Sequence, residues 1–258
     1  VSKKWRTAIT QHIDGEPYIR GYRLLDLVGR YSFSQVAYLT LKGELPTPAE
    51  ARVLDAMLVS VVDHGLAPPS AVADRVVISG GNPLHVGVAA GILTFGEAHG
   101  GAIESAARIF QETAARDGDV RELAAERVAE ALSRKERLPG FGHRLYKDAD
   151  PRTARIFGIA KEEGFFGRHS APAEAMAEEL KKQSGRPLVL NVDGGIAAIV
   201  SDMGFDWRLG KGFFIMGRVV GLVAQAFEEI TRERPFRRLT EEEMEYDGVP
   251  PRKLEPDP

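Results

Sequence analysis

The sequence predicts an all-α fold, and three observations predict it. Apolar residues recur at helical spacing in nearly every segment. Alternating runs of strand type are scarce. Two segments are apolar on more than one face, as helices covered by other helices are. In chain order, PYIRGYR is the single modest strand candidate and reads as a short hairpin. Ser34 to Lys42 carries Val36, Tyr38, Leu39 and Leu41 and stops at Gly43. Thr47 followed by Pro48 is an N-cap with proline at the first helical position. The helix it opens puts Val53, Leu54, Met57, Leu58, Val61 and Val62 on one face. Further helices are expected at 83–97, 101–116, 119–136, 151–163, 170–184, 194–203 and 211–231. VRELAAERVAEALSRK mixes acidic and basic residues at helical spacing and reads as a solvated outer helix. EEEMEYD reads as a surface helix, and GVPPRKLEPDP as an extended end.

The two segments apolar all round are 83–97 and 213–226. A chain of 258 residues has little interior in which to hide both, so a homo-oligomer, dimer or tetramer, is expected. Net charge is −3, so no global basic field points to nucleic acid. Cysteine is absent, which excludes disulfides, thiol catalysis and thiolate metal sites. VSKKWRTAIT lacks the apolar run of a signal peptide, and no stretch is long enough to span a bilayer. A cytoplasmic enzyme is the default expectation.

Three titratable residues stand in suggestive places. In LPGFGHRLYKDADPR, Gly140 and Gly142 flank Phe141, and His143 follows. Pro151 then opens a helix with Arg152 in its first turn, and Lys147 adds a second cation. An imidazole, exposed amides and two cations suit an anion whose oxygen gains or loses a proton, although a plain surface loop fits equally well. His99, in GEAHGGA, stands between two helices. A helix N-terminus there would hold it neutral, able to donate to a carbonyl oxygen; a satisfied interior histidine is the ordinary alternative. Asp193, in LVLNVDGG, follows an apolar run. It fits a helix cap, or a base made stronger by apolar neighbours. Arg218 lies inside an otherwise apolar helix, where a buried cation with an anionic partner is expected. His85 reads as a core histidine, and His12 and His169 as exposed.

Together these segments resemble the citrate synthase superfamily. PYIRGYRLLDLVGRYSFSQVAYLTLKGELPT, VVDHGLAPPS, AHGGA, PGFGHRLYKDADPR, NVDGG and MGRVVGLVAQAFEE follow in the family's order. The resemblance implies a two-lobed helical fold. The large domain would comprise 1–99 and 201–258, the small domain 100–200, and the site would lie between them. It also implies roles. His99 would hydrogen-bond the thioester oxygen of acetyl-CoA and hold its enolate. Asp193 would exchange a proton with the acetyl methyl group. His143 would serve the carbonyl of oxaloacetate or the matching hydroxyl of the citryl unit. His64 would hold the oxaloacetate end. Arg152, Arg218 and Arg234 would pair with carboxylates, Arg234 from a neighbouring subunit. Lys147 and Arg186 would meet the CoA phosphates. The CoA thioester is substrate, and neither a resident cofactor nor a metal is implied.

Between GELPTPAE and VVDHG there is room for one helix, where full citrate synthases place several, so the large domain is shortened. In this the chain is similar to the citryl-CoA lyase group, which includes the C-terminal module of ATP-citrate lyase. The resemblance implies cleavage of citryl-CoA to acetyl-CoA and oxaloacetate. The alternatives are a short citrate or 2-methylcitrate synthase, or a silent subunit that binds acyl-CoA or a partner. Retention of His99, His143 and Asp193 argues against silence. Whether a citrate-activating partner enzyme is needed stays open.

Overall fold

The computed structural model describes residues 4–143, 146–185 and 188–254. It is mainly helical, with a single three-stranded meander at the start. Strands β1 (Thr10–Ile13), β2 (Glu16–Ile19) and β3 (Tyr22–Arg23) pair antiparallel in that order. PYIRGYR supplies β2 and β3; β1, exposed throughout, has no apolar alternation by which to be seen.

Two short helices follow, α1 (Leu24–Leu27) and α2 (Phe33–Lys42). Ser32 and Gln35 close a capping box on α2, and Gly43 ends it at φ 96°. Arg20 ties the meander to α2 by donating from Nε and Nη2 to the Thr40 carbonyl, at 3.0 and 2.9 Å. Thr47 and Glu50 form the same box at the head of α3 (Pro48–Ser60), with Pro48 in the first turn.

Helices α4 (Pro69–Ser79) and α5 (Leu84–Leu93) pack on one another, and the long α11 (Gly210–Arg232) lies against both and against α3. Between them in sequence run α6 (Ala102–Ala114), α7 (Val120–Ser133), α8 (Pro151–Glu162), α9 (Ser170–Ser184) and α10 (Val192–Asp202). Here α10 is the central element, packed on α6, α8 and α9, while α7 covers α9 from outside. Phe110, Met176, Ile196, Ile199, Phe213 and Leu222 lie in one continuous core that joins α10 to α11. No helix among the described residues is long and apolar enough to cross a membrane.

Four expectations need correction. The segment 83–97 is helical only over α5, a helix that within this chain buries little beyond Gly87, Val88 and Gly91 and leaves Leu93 86% exposed; past its end, Phe95 is buried. His85, at its start, is exposed rather than in the core. His169 is not free on the surface: its amide and Nδ1 both meet the Asp202 carboxylate, at 2.7 and 3.0 Å, which ties the head of α9 to the end of α10. The acidic run EEEMEYD forms only a single 3-10 turn, Glu241–Glu243, because consecutive like charges have no buried face to hold a longer helix.

Candidate active site

The glycine-rich loop is held by a neighbouring extended segment. Gly142 N–H donates to the Val189 carbonyl at 2.7 Å, and Asn191 N–H to the Gly140 carbonyl at 3.0 Å. The Asn191 side-chain amide donates to the Gly142 carbonyl at 2.9 Å. Gly140, at φ 84°, passes so close to α10 that a Cβ would lie 2.8 Å from the Gly194 Cα. Glycine at both positions is therefore what lets the His143 loop sit on the first turn of α10, where Asp193 is. The cap of α10 is Asn191, whose Oδ1 accepts from Gly194 N–H; Asp193 is released from the capping role that its position allowed.

Asp150 binds this junction together, a role not visible in the sequence. Fully buried, it caps α8 by accepting from Arg152 N–H at 3.0 Å and grips the Arg152 guanidinium at 3.1 and 2.8 Å. Its Oδ2 also accepts from Val192 N–H at 3.0 Å, the residue before Asp193. One carboxylate thus fixes the start of α8, the start of α10 and a cation. Burial raises its pKa, but the bonds from Arg152 and Val192 outweigh that, and the carboxyl titrates below its usual range.

His143 is half-buried, stacked on Tyr146 with ring centroids 4.5 Å apart, and its Nδ1 accepts from Tyr146 N–H at 3.2 Å. Its Nε2 stands 3.3 Å from Arg152 Nη2, so each ring nitrogen faces a donor. In the tautomer with a bare Nε2, that nitrogen can take a proton, and it is the atom turned toward any ligand of Arg152. Burial, with Arg152 and Lys147, lowers the pKa of His143 against the pull of Asp150. Lys147 is exposed and donates from Nζ to the His143 carbonyl at 3.3 Å. Arg186 lies outside the described residues.

His99 follows the tight turn after α5, which closes through His99 N–H on the Gly96 carbonyl at 2.8 Å. Its ring stands edge-on to Phe95 and Phe214, and Nε2 lies 2.8 Å from the hydroxyl of Ser70, a fully buried residue in the first turn of α4. Burial pushes its pKa down to about 4, and the charges of Arg218 and His64 add to the effect. The ring is therefore neutral at physiological pH, as expected, but burial rather than a helix dipole is the cause. Helix α6 begins only at Ala102.

Arg218 is buried within α11, donates from Nε to the Val61 carbonyl at 2.7 Å, and lies over the Phe214 ring at 4.9 Å. The Val61–Asp63 turn thus orients it. Asp63 is fastened in turn by Gly65 N–H at 2.9 Å and the Gln225 amide at 3.3 Å. Arg218 has no direct carboxylate contact among the described residues, although Asp63 and Asp193 both support its charge. His64 is exposed, and its pKa is lowered first by burial of the ring and then by Arg152, Arg218 and His143. Asp193 is pushed up to about 6 by burial, against the opposing pull of Arg152 and Arg218. The structure therefore joins His64, His99, His143, Arg152, Arg218 and Asp193 in one cluster, each within electrostatic reach of at least two others. Arg234, exposed beyond the end of α11, is not among them in this chain.

Chemically, the cluster offers two cations for carboxylates, three imidazoles whose pKa values are all lowered, and one carboxyl that holds its proton unusually well. Two clefts adjoin it. One, of about 470 Å³, runs past Ala98, Leu138 and Pro139 and carries Arg108, Arg127 and Arg137. The other, of about 550 Å³, is lined by Lys147, Phe157, Lys181 and Leu188. The three arginines went unnoticed in the sequence because each sits on a separate element, with no local motif.

Known proteins resemble this chain in sequence and in fold. The model of the citrate synthase C-terminal domain matches residues 46–239. A 2-methylcitrate synthase of Shewanella oneidensis is 30% identical over 84% of this chain and 56% of its own length. A probable ATP-citrate synthase of Dictyostelium discoideum is 30% identical over 82% of this chain and 36% of its own. The chain thus spans about half or less of the curated relatives it matches. Among solved structures, a citryl-CoA lyase from Hydrogenobacter thermophilus is 61% identical over 98% of both chains, with a TM-score of 0.91. An ATP citrate lyase of Methanosaeta concilii, solved with (3S)-citryl-CoA, is 25% identical, with a TM-score of 0.83 over 97% of this chain and 42% of that one. The residues, their order along the chain and the helical fold agree: the chain belongs to the citrate synthase family.

Proposed function

We propose that this protein is a citryl-CoA lyase, cleaving citryl-CoA to acetyl-CoA and oxaloacetate by a retro-aldol step. The observation that carries the reading is the opposed tuning of two groups in one cluster: His99 kept neutral, and Asp193 pushed up to about 6. A carbanion beside a thioester needs a neutral hydrogen-bond donor at its oxygen and a carboxylic acid at its carbon. Similarity over 98% of both chains to the Hydrogenobacter thermophilus lyase supports cleavage rather than synthesis.

In this reading His64, Arg152 and Arg218 hold the carboxylates of the oxaloacetate half. His143 accepts the proton of the citryl hydroxyl as that oxygen becomes the ketone of oxaloacetate. The electrons of the broken carbon–carbon bond pass into the acetyl half, whose thioester oxygen becomes an enolate. Ser70 donates to Nε2 of His99, which leaves the proton on Nδ1 for that oxygen. Asp193 then delivers its proton to the carbon, completing the methyl group. Lys147 and Arg186, with Arg108, Arg127 and Arg137 in the neighbouring cleft, take the phosphates of CoA. The smaller lobe, residues 100–200, closes on the rest (1–99 and 201–258) and excludes water. No resident cofactor enters these steps. Citryl-CoA must reach the protein already activated, which calls for a citrate-activating partner in the cytoplasm.

A homo-oligomer belongs to the same reading. Val72 and Val76 on α4, Leu93 on α5, and Val220, Phe227 and Ile230 on α11 are exposed on three mutually packed helices. So much open apolar surface fits a dimer interface, from which Arg234 of a second copy reaches the substrate. Similarity to a 2-methylcitrate synthase favours the second reading, condensation with hydrolysis of the thioester. One assay separates them. With acetyl-CoA or propionyl-CoA plus oxaloacetate, a lyase releases no free thiol, whereas sustained release identifies a synthase.

A further inference from the structure

Asp74 is a carboxyl group for which the reaction above has no use. It lies in the middle of α4, fully buried, and among the described residues neither of its oxygens has a hydrogen-bond partner. It faces α5 where the two helices come closest. A Cβ at Gly87 would lie 2.5 Å from Asp74 Oδ1 and 2.5 Å from Ile78 Cγ1. One turn further along α5, a Cβ at Gly91 would lie 3.0 Å from the Ser70 carbonyl. The same α4 turn that carries Ser70, and hence the bond to His99, is thus packed on α5 beside an unpartnered acid.

The surrounding charges do not compensate it. Arg75, adjacent on α4, is directed at α11, where it meets Gln225 at 3.0 Å, Glu228 at 2.6 Å and Glu229 at 3.4 Å. Glu229 is itself buried and also accepts from Arg237 at 2.7 Å. From α5 the titratable group is His85, which is exposed.

We propose that Asp74 is a proton-operated latch between α4 and α5: neutral while the helices are packed, and loosening them when it ionises. A neutral carboxyl costs little in such a place, whereas a carboxylate without a donor is strongly disfavoured. Burial pushes this carboxyl up from 3.8 to about 6, with Arg75 opposing and Glu229 adding to the shift. Because the packed state then binds the proton more tightly than the opened state, its stability falls as pH rises from about 4 through about 6. The opened state carries Ser70 away from His99, so proton loss at Asp74 undoes the seat of His99. The latch itself does not depend on the proposed activity; only its effect on turnover does.

Hydrogen exchange of the full chain tests it without any substrate. Protection factors, which remove the intrinsic pH dependence of exchange, are compared at pH 5 and pH 8. The expected result is a fall of about tenfold over residues 70–79 and 84–93, the part of the loss that lies above pH 5, with 120–133 and 170–184 unchanged. Asp74→Asn, or Asp74→Leu should the amide variant fold poorly, abolishes the fall, and His85→Gln keeps it. Equal protection of α4 and α5 at the two pH values in the wild type, or the same fall in an Asp74 variant, overturns the proposal. A fall that levels off above about pH 6 in the wild type supports it even if neither variant folds.

Discussion

Two carboxylates meet at the start of α10 and are driven in opposite directions by their surroundings. Asp150 is buried with four hydrogen bonds and stays charged; Asp193 is half-buried with its cations at a distance and holds its proton to about pH 6. In the sequence both are an aspartate near a helix start, and only the bonding separates a clamp from an acid. Asp193→Asn keeps the shape but has no proton to give, so deuterium wash-in to the acetyl methyl group should vanish while oxaloacetate still binds, as titration calorimetry reads. Arg218→Leu does the reverse, weakening oxaloacetate by about 2–5 kcal/mol, because a buried carboxylate loses its cation. The pH profile follows from the same groups. On the proposed mechanism, cleavage needs neutral His143, whose pKa is lowered, and protonated Asp193. The kcat/KM for citryl-CoA should therefore fall as pH rises past about 6, where Asp193 loses its proton. A profile still rising through pH 8 would contradict that assignment.

At the scale of elements, helices with apolar faces were legible in the sequence, and the exception is instructive. Helix α4 was missed because its buried face reads Ala71, Asp74, Arg75, Ile78, polar at the two central positions, while valines occupy the solvent side. Periodicity detects apolar burial, not burial of a salt-bridge network or an unpaired acid. The glycines of PGFGH and NVDGG were visible as motifs, but that they touch each other is a property of the folded chain. Gly194→Ala drives a methyl into the Gly140 carbonyl and should cost about 1–3 kcal/mol, read as a lowered Tm, and displace the His143 loop. Gly158→Ala, in α8 with open space around it, should instead stabilise by about 0.5–1 kcal/mol. Equal effects at the two sites would mean that the loop-to-α10 contact contributes nothing.

For the whole molecule, the open apolar surface of α4, α5 and α11 is the feature a single chain leaves unexplained. The two segments apolar all round pointed to it, since a helix with no polar face must be covered by something. In the fold α11 is covered on one side, with Phe213, Arg218 and Leu222 buried, whereas Val220 stays 62% and Phe227 59% exposed. Sedimentation should show a dimer or tetramer at low micromolar concentration, dissociated by Phe227→Glu; a stable wild-type monomer would remove the partner expected to supply Arg234. Direction of chemistry is the property least legible in the residues, because cleavage and condensation share every step except thioester hydrolysis. The most direct test is therefore to incubate the protein with citryl-CoA in deuterated water and analyse the products by mass spectrometry. Equal amounts of oxaloacetate and of acetyl-CoA bearing one deuterium on its methyl group, with no free CoA, are the predicted result. Free CoA and citrate in place of acetyl-CoA would contradict it.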